Sequence, residues 1–159
     1  MKLISYNLNG IRSAITKGLL EWLSDENPDI INFQEIKLSE THLVEDLFKN
    51  MGYMCYWHPA QKKGYSGVAT LTKILPTNVQ FGMLNDKYDS EGRVLVTEYA
   101  NFRLVNTYFP SGSSGDERQS YKFQFLDDYF VFIESLRRIG DKPIIICGDV
   151  NICHEPIDI

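Results

Sequence analysis

Short apolar runs alternate with helical patterns over the N-terminal part of the chain. The runs at 2–6 and 29–33 predict two buried β-strands, because each is short and is bounded by polar residues. Residues 13–24 predict one helix, which ends before Asn27-Pro28 because the residue that precedes a proline disfavours the helical conformation. The apolar positions of this helix are Leu19, Leu20, Trp22 and Leu23.

A second helix and a series of strands follow. The helix is predicted to begin near Ser39 and to end before Gly52, since serine favours helix N-termini and glycine favours the position after a helix. Its expected buried face contains Leu43, Leu47 and Phe48. From Tyr53 onward the chain becomes rich in Val, Tyr, Phe and Thr, which predicts mostly antiparallel strands. We place them at 53–58, 67–73, 78–83, 93–99 and 102–109, with Asn101 near a tight hairpin turn.

A long helix and a last strand complete the pattern. Residues 116–138 predict a helix whose expected buried positions are Phe123, Leu126, Phe130, Ile133 and Leu136. The run at 143–147 predicts another buried strand. This order of elements predicts a layered α/β architecture and not a simple doubly wound sheet. A buried strand needs neighbours and cover on both faces, so we expect residues 1–159 to be a fragment of a longer protein, with a short natural ending as the alternative.

Composition narrows the class of protein. The 159 residues are 43% hydrophobic and 23% charged, which fits one globular domain with a real core. No apolar run approaches the ~20 residues that cross a bilayer, and the N-terminus turns polar at Ser5, so we expect neither a membrane span nor a signal peptide. Cys55, Cys147 and Cys153 have no disulfide or metal spacing, which favours a reducing compartment and no thiol chemistry.

The charge is unevenly distributed along the chain. The net charge is −5, which argues against a polyanionic partner. However, segments 1–20 and 47–85 contain seven basic residues and no acid, so the remaining nine basic and 21 acidic residues leave −12 elsewhere. This segregation indicates either a phosphate-binding face or a chance clustering on the surface.

Polar residues follow the three most apolar strands. Asn7 and Asn9 come after the first, Glu35 after the second, and Asp149 with Asn151 after the last. The carboxyl ends of neighbouring strands are where open α/β sheets collect ligands, and an oxygen-rich set suits Mg²⁺. It does not suit zinc, because histidine and cysteine are absent from these positions. The alternative is that each position is a plain turn or a solvated strand end.

Six motifs occur in a fixed order along the chain. They are SYNLNGIRS at 5–13, QEIK at 34–37, KGYSGVA at 63–69, EGRV at 91–94, NTYFPSG at 106–112 and GDVNICHEPIDI at 148–159. Together they resemble the exonuclease III / apurinic-apyrimidinic endonuclease branch of the endonuclease–exonuclease–phosphatase superfamily. The resemblance implies a four-layer α/β sandwich, in which helices flank two packed mixed sheets.

The resemblance also implies an activity and its site. The activity is hydrolysis of DNA phosphodiesters at abasic sites with Mg²⁺, or Mn²⁺ as the alternative, often with 3′→5′ exonuclease activity. Tyr108, Asp149 and Asn151 match catalytic positions, and Asp149 orients or deprotonates the attacking water. Asn7, Glu35, Asp149 and Asn151 form the implied metal site, in which Glu35 is the principal ligand.

The implied partner is duplex DNA with abasic sites or 3′ ends, bound by a monomer in a bacterial cytoplasm or a eukaryotic nucleus. Arg12, Lys17, Lys63 and Tyr65 match DNA-contact positions, and they fall in the two acid-free segments. Ser111 stands where some relatives have Asn or Gln. The late Ser-Asp-His motif of the family is absent, so we expect this chain alone to be inactive or nearly so. The competing interpretations are a phosphoinositide or sphingomyelin phosphodiesterase of the same superfamily and a non-catalytic DNA-binding module.

Overall fold

Two four-stranded mixed sheets form the centre of the computed structural model, which describes residues 1–112 and 115–152. Sheet 1 has the order β1-β2-β4-β3 and comprises β1 (Leu3–Asn7), β2 (Ile30–Gln34), β3 (Met54–His58) and β4 (Val68–Thr72). Sheet 2 has the order β5-β6-β7-β8 and comprises β5 (Asn78–Phe81), β6 (Val94–Glu98), β7 (Arg103–Tyr108) and β8 (Ile144–Asp149). Each sheet is therefore built from one continuous stretch of chain.

Helices cover the outer face of each sheet. Sheet 1 carries α1 (Ile11–Thr16), α2 (Leu19–Glu26) and α3 (His42–Lys49), and sheet 2 carries α4 (Asp86–Asp89) and α5 (Asp116–Arg138). Between the sheets, Ile30 of β2 packs near Leu104 of β7, and Val68 of β4 near Leu95 of β6. The predicted four-layer sandwich and the mostly antiparallel strands are thus confirmed, since only the β1–β2 and β7–β8 pairs are parallel among the described strands.

Buried amides connect the two sheets. Gln34 Nε2 donates to Asn106 Oδ1 at 2.7 Å, and Asn106 Nδ2 donates to the carbonyl of Ala69 at 2.8 Å. Asn32 Nδ2 donates to Cys147 Sγ of β8 at 2.9 Å, and within sheet 1 Thr70 Oγ1 donates to Asn32 Oδ1 at 2.6 Å. Satisfied polar networks inside a core favour one relative position of the elements that they join. These side chains therefore specify how sheet 2 lies on sheet 1.

The first and last strands are less buried than predicted. Tyr6 on β1 is 47% exposed and Ile146 on β8 is 48% exposed. Both strands lie at a sheet edge, where each pairs with one neighbour in the described part of the chain. Their apolar sequences predicted full burial, but an edge strand lacks cover on its open side. β1 and β8 also lie next to each other, one in each sheet.

The helix predicted over 13–24 is two helices. Gly18 separates α1 from α2 and has φ +94°, a left-handed conformation that glycine adopts without steric cost. The chain bends there, so Leu19 and Leu23 point into the core while Trp22 stays 36% exposed.

Two predicted buried faces are shifted. In α3 the buried residues are Val44 and Phe48, whereas Leu43 and Leu47 are 56% and 40% exposed. In α5 the bounds 116–138 are confirmed, Leu136 is buried as predicted, and Leu126 and Ile133 pack partly buried against the core. Phe125 and Tyr129 fill the rest of the buried face, however, and Phe123 and Phe130 are exposed. Both helices carry apolar residues on several faces, so packing against the sheet and not the pattern selects the buried face.

Candidate active site

Parallel pairing brings the polar strand ends together. Asn7 of β1 is in register with Gln34 of β2, which Glu35 follows directly. In sheet 2, Tyr108 of β7 is in register with Asp149 of β8. Asn7 Nδ2 donates to Asp149 Oδ2 at 2.7 Å, and the Tyr108 hydroxyl donates to Glu35 Oε1. The two sheets therefore meet at one polar cluster, as the strand ends predicted.

Left-handed backbone conformations concentrate around this cluster. The described residues include seven non-glycine residues with positive φ, and five of them lie in the loops that follow β1, β2 and β8 or precede β4. These five are Asn9, Glu35, Lys37, Ser66 and Asn151, with φ between +44° and +52°. Such conformations are sterically costly and collect at functional sites, where the surrounding structure maintains them.

Glu35 is ionised at neutral pH. Burial alone would raise the pKa of Glu35, but hydrogen bonds from Tyr108 and Lys37 outweigh that effect and lower the pKa below its usual value. Lys37 Nζ lies 2.9 Å from Glu35 Oε2 and also donates to Asn9 Oδ1. The carboxylate is thus held in place and charged.

Tyr108 keeps its proton. Burial, followed by the hydrogen bond to Glu35, raises the pKa of Tyr108 well above its usual value. The side chain is only 9% exposed, so the hydroxyl is a fixed hydrogen-bond donor beside the carboxylate.

Asp149 is oriented from both sides. Its Oδ2 accepts from Asn7, and its Oδ1 accepts from the backbone N–H of Asn151 at 3.0 Å. Gly148 makes this placement possible, because a Cβ at that position would lie 1.8 Å from the carbonyl oxygen of Thr107. Asn151 Nδ2 in turn donates to the carbonyl of Phe109 at 2.9 Å, which fixes the loop after β8.

The donor set fits a hard divalent cation. Carboxylate and amide oxygens of Glu35, Asn7, Asp149 and Asn151 come from adjoining strand ends, and no cysteine or histidine is among them. Within residues 1–112 and 115–152 no group of three or more Asp, Glu, His or Cys side chains could hold a metal. Mg²⁺ is commonly bound by only one or two carboxylates, since it keeps several of its waters, whereas tight zinc or calcium sites need more protein ligands.

The predicted DNA-contact residues lie on separate parts of the surface near the site. Arg12 and Lys63 are exposed and line a pocket of about 140 Å³ together with Lys37. Lys17 lines a neighbouring groove of about 630 Å³ beside Trp22. Tyr65 is half-buried, and its hydroxyl faces inward and accepts from Arg93 at 2.9 Å.

In the folded protein, acids from other parts of the chain lie beside basic residues of the two acid-free segments. Lys2 pairs with Glu26, Lys49 with Glu45, and Lys63 with Glu40 at 3.8 Å. Acids from outside these segments thus neutralise three of their seven basic residues, because sequence distance does not measure spatial distance. Arg12 and Lys17 form no salt bridge with the described residues, so they remain the clearest candidates for phosphate contacts.

Comparison with known proteins identifies the family. The sequence profile of the Endonuclease/Exonuclease/phosphatase family matches residues 4–159. The chain belongs to this family.

Individual relatives agree with the resemblance to exonuclease III and AP endonucleases. Over its full length the chain is 39% identical to a DNA-(apurinic or apyrimidinic site) endonuclease of Dictyostelium discoideum, and it covers 44% of that protein. It is 39% identical to an exodeoxyribonuclease of Bacillus subtilis and covers 62% of it. A 3′ phosphatase from Neisseria bound to product DNA hairpin aligns with 99% of the chain, with a TM-score of 0.86 and 26% identity, over 60% of its own length. The chain thus spans about half of these relatives.

The expectations that came from composition concern membrane spans and cysteines. None of the described helices is long and apolar enough to span a membrane. Burial raises the pKa of the Cys55 thiol to about 12 and also raises that of Cys147. Cys153, His154 and the rest of the HEPIDI segment lie outside the described residues.

Sequence reasoning did not assign several residues that shape this family member's site. Lys37 holds Glu35, and Gln34 and Asn106 fix the two sheets beneath it. Arg93 and Glu91 lie behind Tyr108. Lys37, Glu91 and Arg93 lie inside the QEIK and EGRV motifs, and this membership was the sequence feature that could have identified them as site residues. Their partners are distant in sequence, so the motifs alone could not reveal the contacts.

Proposed function

We propose that this chain is the N-terminal part of a DNA-repair nuclease that hydrolyses phosphodiesters at abasic sites with Mg²⁺ and also removes nucleotides from 3′ ends. The observation that carries the proposal is the pair of hydrogen bonds across the two sheets, Tyr108 to Glu35 and Asn7 to Asp149. Together these contacts place a charged carboxylate, a protonated phenol and a second, oriented acid at one point of the surface.

Each side chain suits one task in phosphodiester hydrolysis. Glu35, with Asn7, would hold the cation, which neutralises charge that develops on the phosphoryl oxygens when it is bound. Asp149 would hold the attacking water in line with the leaving oxygen, since both of its oxygens are already directed by Asn7 and Asn151. Tyr108 has one O–H proton, which Glu35 accepts in this structure, so Tyr108 would donate to the phosphate only when that hydrogen bond is exchanged, and it would add no repelling charge.

DNA as the substrate is supported by the relatives and by the surface. The Neisseria relative is bound to product DNA hairpin, and the Dictyostelium relative is named for abasic sites. Arg12, Lys17, Lys63 and the loop of Tyr65 would contact the phosphate backbone beside the polar cluster. Such contacts position a duplex without reading its sequence.

The sheet edges support a larger domain. β1 and β8 lie side by side with apolar residues exposed, and the relatives are longer than this chain. We propose that a second part of the domain pairs with these edges and contributes the Ser-Asp-His motif. On this proposal, residues 1–159 alone are inactive and the complete protein acts as a monomer.

Cleavage of a labelled duplex with one abasic site tests the function. The full-length protein with Mg²⁺ should cut at the abasic position and leave an undamaged duplex intact apart from its 3′ ends. Release of a phosphorylated headgroup from phosphoinositide or sphingomyelin vesicles instead would favour the lipid phosphodiesterase. DNA binding without cleavage would favour the non-catalytic module.

Glu35→Gln tests the metal site. The variant should need at least about tenfold more Mg²⁺ for half-maximal rate, because losing a partner even one step removed from the metal costs that much affinity. Calorimetric titration with Mg²⁺ measures the same loss without turnover. Glu45→Gln on α3 is the matched control and should leave both values unchanged. Equal Mg²⁺ dependence in wild type and Glu35→Gln would remove Glu35 from the site.

Asp149→Asn tests water activation. The variant can keep the hydrogen bond from the Asn151 backbone, but it loses the charge and also the hydrogen bond from Asn7 Nδ2, because an amide N–H cannot accept. We therefore expect kcat to fall while Kd for abasic duplex changes little. Single-turnover kinetics and fluorescence anisotropy separate the two quantities. A loss confined to DNA affinity would make Asp149 a binding residue.

A further inference from the structure

Arg93 is a buried cation directly behind Tyr108. Its side chain is 2% exposed. Arg93 Nη1 donates to the carbonyl of Tyr108 at 3.0 Å, and the carbonyl of Arg93 accepts from the Tyr108 N–H at 2.8 Å. The guanidinium carbon also lies 5.1 Å from the centre of the Tyr108 ring. Arg93 therefore contacts both the backbone and the ring of the tyrosine that donates to Glu35.

The other side of Arg93 reaches the predicted DNA-contact loop. Arg93 Nη2 donates to the Tyr65 hydroxyl at 2.9 Å, and Nε donates to Glu91 Oε2 at 2.6 Å. Arg118, from the first turn of α5, donates to the same hydroxyl at 3.0 Å and to Glu91 Oε1 at 2.9 Å. One acid and one phenol thus bind two arginines, and every nitrogen of Arg93 has a partner.

The backbone at Arg93 is also tightly fixed. Gly92 has φ +60°, and a Cβ there would lie 2.4 Å from the carbonyl oxygen of His58. The chain between Glu91 and Arg93 therefore packs directly against the end of β3. Movement of Arg93 would require movement of β3 or of the loop before β4.

Stability alone does not explain a cation at this position. Buried ion pairs are often no more stabilising than apolar residues of the same size, because the desolvation of the charges offsets their attraction. The chain offers a direct comparison in Arg103 on β7, which is 6% exposed. Arg103 binds Glu98 at 3.1 Å and the carbonyl of Leu136 at 2.8 Å, so it resembles Arg93 in burial and chemistry. It lies at the opposite end of β7 from Tyr108.

We propose that Arg93 is a positioning residue that fixes the Tyr108 hydroxyl against Glu35 and couples Tyr108 to the Tyr65 loop. This inference rests on the proposed function of Tyr108. A planar guanidinium can contact the Tyr108 carbonyl, the Tyr65 hydroxyl and Glu91 together, whereas an ammonium cannot span all three. Misplacement of a reacting group by about 1 Å can cost ~100-fold in rate. Loss of the three guanidinium contacts should therefore lower kcat measurably.

A double-mutant cycle in the full-length protein tests the inference. We expect Arg93→Lys to lower kcat on abasic duplex about 10- to 100-fold, with a smaller change in KM. In the Tyr108→Phe background the same substitution should lower kcat less than about threefold, since residues that act as a unit are non-additive. Arg103→Lys is the matched control and should destabilise the protein comparably while changing kcat less than about twofold. Full multiplication of the Arg93→Lys and Tyr108→Phe effects would overturn the proposal.

A spectroscopic measurement decides the same point without turnover. In protein with ¹³C-labelled tyrosine rings, the Tyr108 signal is the one that disappears in Tyr108→Phe. Arg93→Lys should shift it, and Arg103→Lys should not. If wild type does not cleave abasic duplex, the proposed function fails, and this signal still tests the positioning role. An unmoved Tyr108 signal would overturn that role. Should Arg93→Lys not fold, Glu91→Gln removes the acid that holds the guanidinium and should shift the same signal.

Discussion

At the scale of single residues, the charge and orientation of the carboxylates in the site are fixed by neighbouring side chains. Glu35 is held ionised by Lys37 and Tyr108, and Asp149 is directed by Asn7. Glu91 is a further case, because its two oxygens bind two arginines. The contacts of Glu35 and Asp149 join the ends of β1, β2, β7 and β8, so the site is organised before any substrate is bound.

The stability of the protein should fall in acid through Glu91. Burial would raise the pKa of Glu91, but hydrogen bonds from Arg118 and attraction to Arg93 lower it below the usual 4.5. A lowered folded-state pKa means that the stabilisation is fully present above pH 4.5 and is lost as the pH falls from there through the folded pKa. Glu91→Gln should cost about 3 kcal/mol of unfolding free energy at neutral pH and less below pH 4.5.

Urea unfolding at a series of pH values measures this difference. Glu45→Gln serves as the comparison, because its ion pair with Lys49 lies on the surface of α3. That change should cost less than about 0.5 kcal/mol. A Glu91→Gln deficit that stays constant on acidification would contradict the assignment of the ionised form.

At the scale of elements, α5 shows how packing overrides pattern. Phe125 is fully buried against Tyr129 and Phe109, whereas Phe130 is 67% exposed. Phe125→Ala should therefore reduce the free energy of unfolding by about 3–5 kcal/mol, since it leaves a cavity in the core. Phe130→Ala, the same change on the same helix, should stay within about 0.5 kcal/mol. Chemical denaturation of both variants checks the pair, and equal losses would show that the two faces of α5 are assigned wrongly.

The sequence predicted strands better than helix faces. Most strands are short runs of apolar and β-branched residues between turn residues, so their positions follow from local pattern. The convergence of Asn7, Glu35 and Asp149 followed from strand ends and from the motifs. The buried face of α5 followed only in part, because Leu126, Ile133 and Leu136 contact the core as predicted, whereas the phenylalanines at 123, 125 and 130 fit more than one face. The inter-sheet contact of Gln34 with Asn106 and the contacts of Arg93 join residues far apart in sequence, and no pattern along one segment encodes them.

At the scale of the whole molecule, the surface is acidic overall but has free cations near the site. Arg12 and Lys17 form no salt bridge with the described residues, while Lys2 and Lys49 pair with Glu26 and Glu45. The distribution of charge is thus set by folding, which brings acids to some basic residues and leaves others open. Binding of a polyanion should depend on the unpaired residues Arg12 and Lys17.

Replacing Arg12 and Lys17 together by Gln should weaken binding to all duplex sequences about equally. The slope of log affinity against log salt should become shallower by roughly one for each phosphate that the variant no longer neutralises. The single-turnover rate of bound substrate should change little, because neither residue reaches Glu35 or Asp149. Titration of abasic duplex at several salt concentrations measures the slope. The Lys2→Gln, Lys49→Gln double variant should keep the wild-type slope, and an unaltered slope in the first variant would show that its charges face solvent only.

The construction of each sheet from one continuous stretch of chain has a consequence for synthesis. Residues 3–72 supply all four strands of sheet 1, so these strands leave the ribosome before any strand of sheet 2. At ~5–20 residues per second, sheet 1 waits several seconds for its partner with its inner face open to water. Asn32, Gln34 and Thr70 lie on that face. Their amide and hydroxyl groups can be hydrated until sheet 2 arrives, so the inner face of the nascent half is a mixed surface, in which these polar groups interrupt the apolar area of Ile30 and Val68.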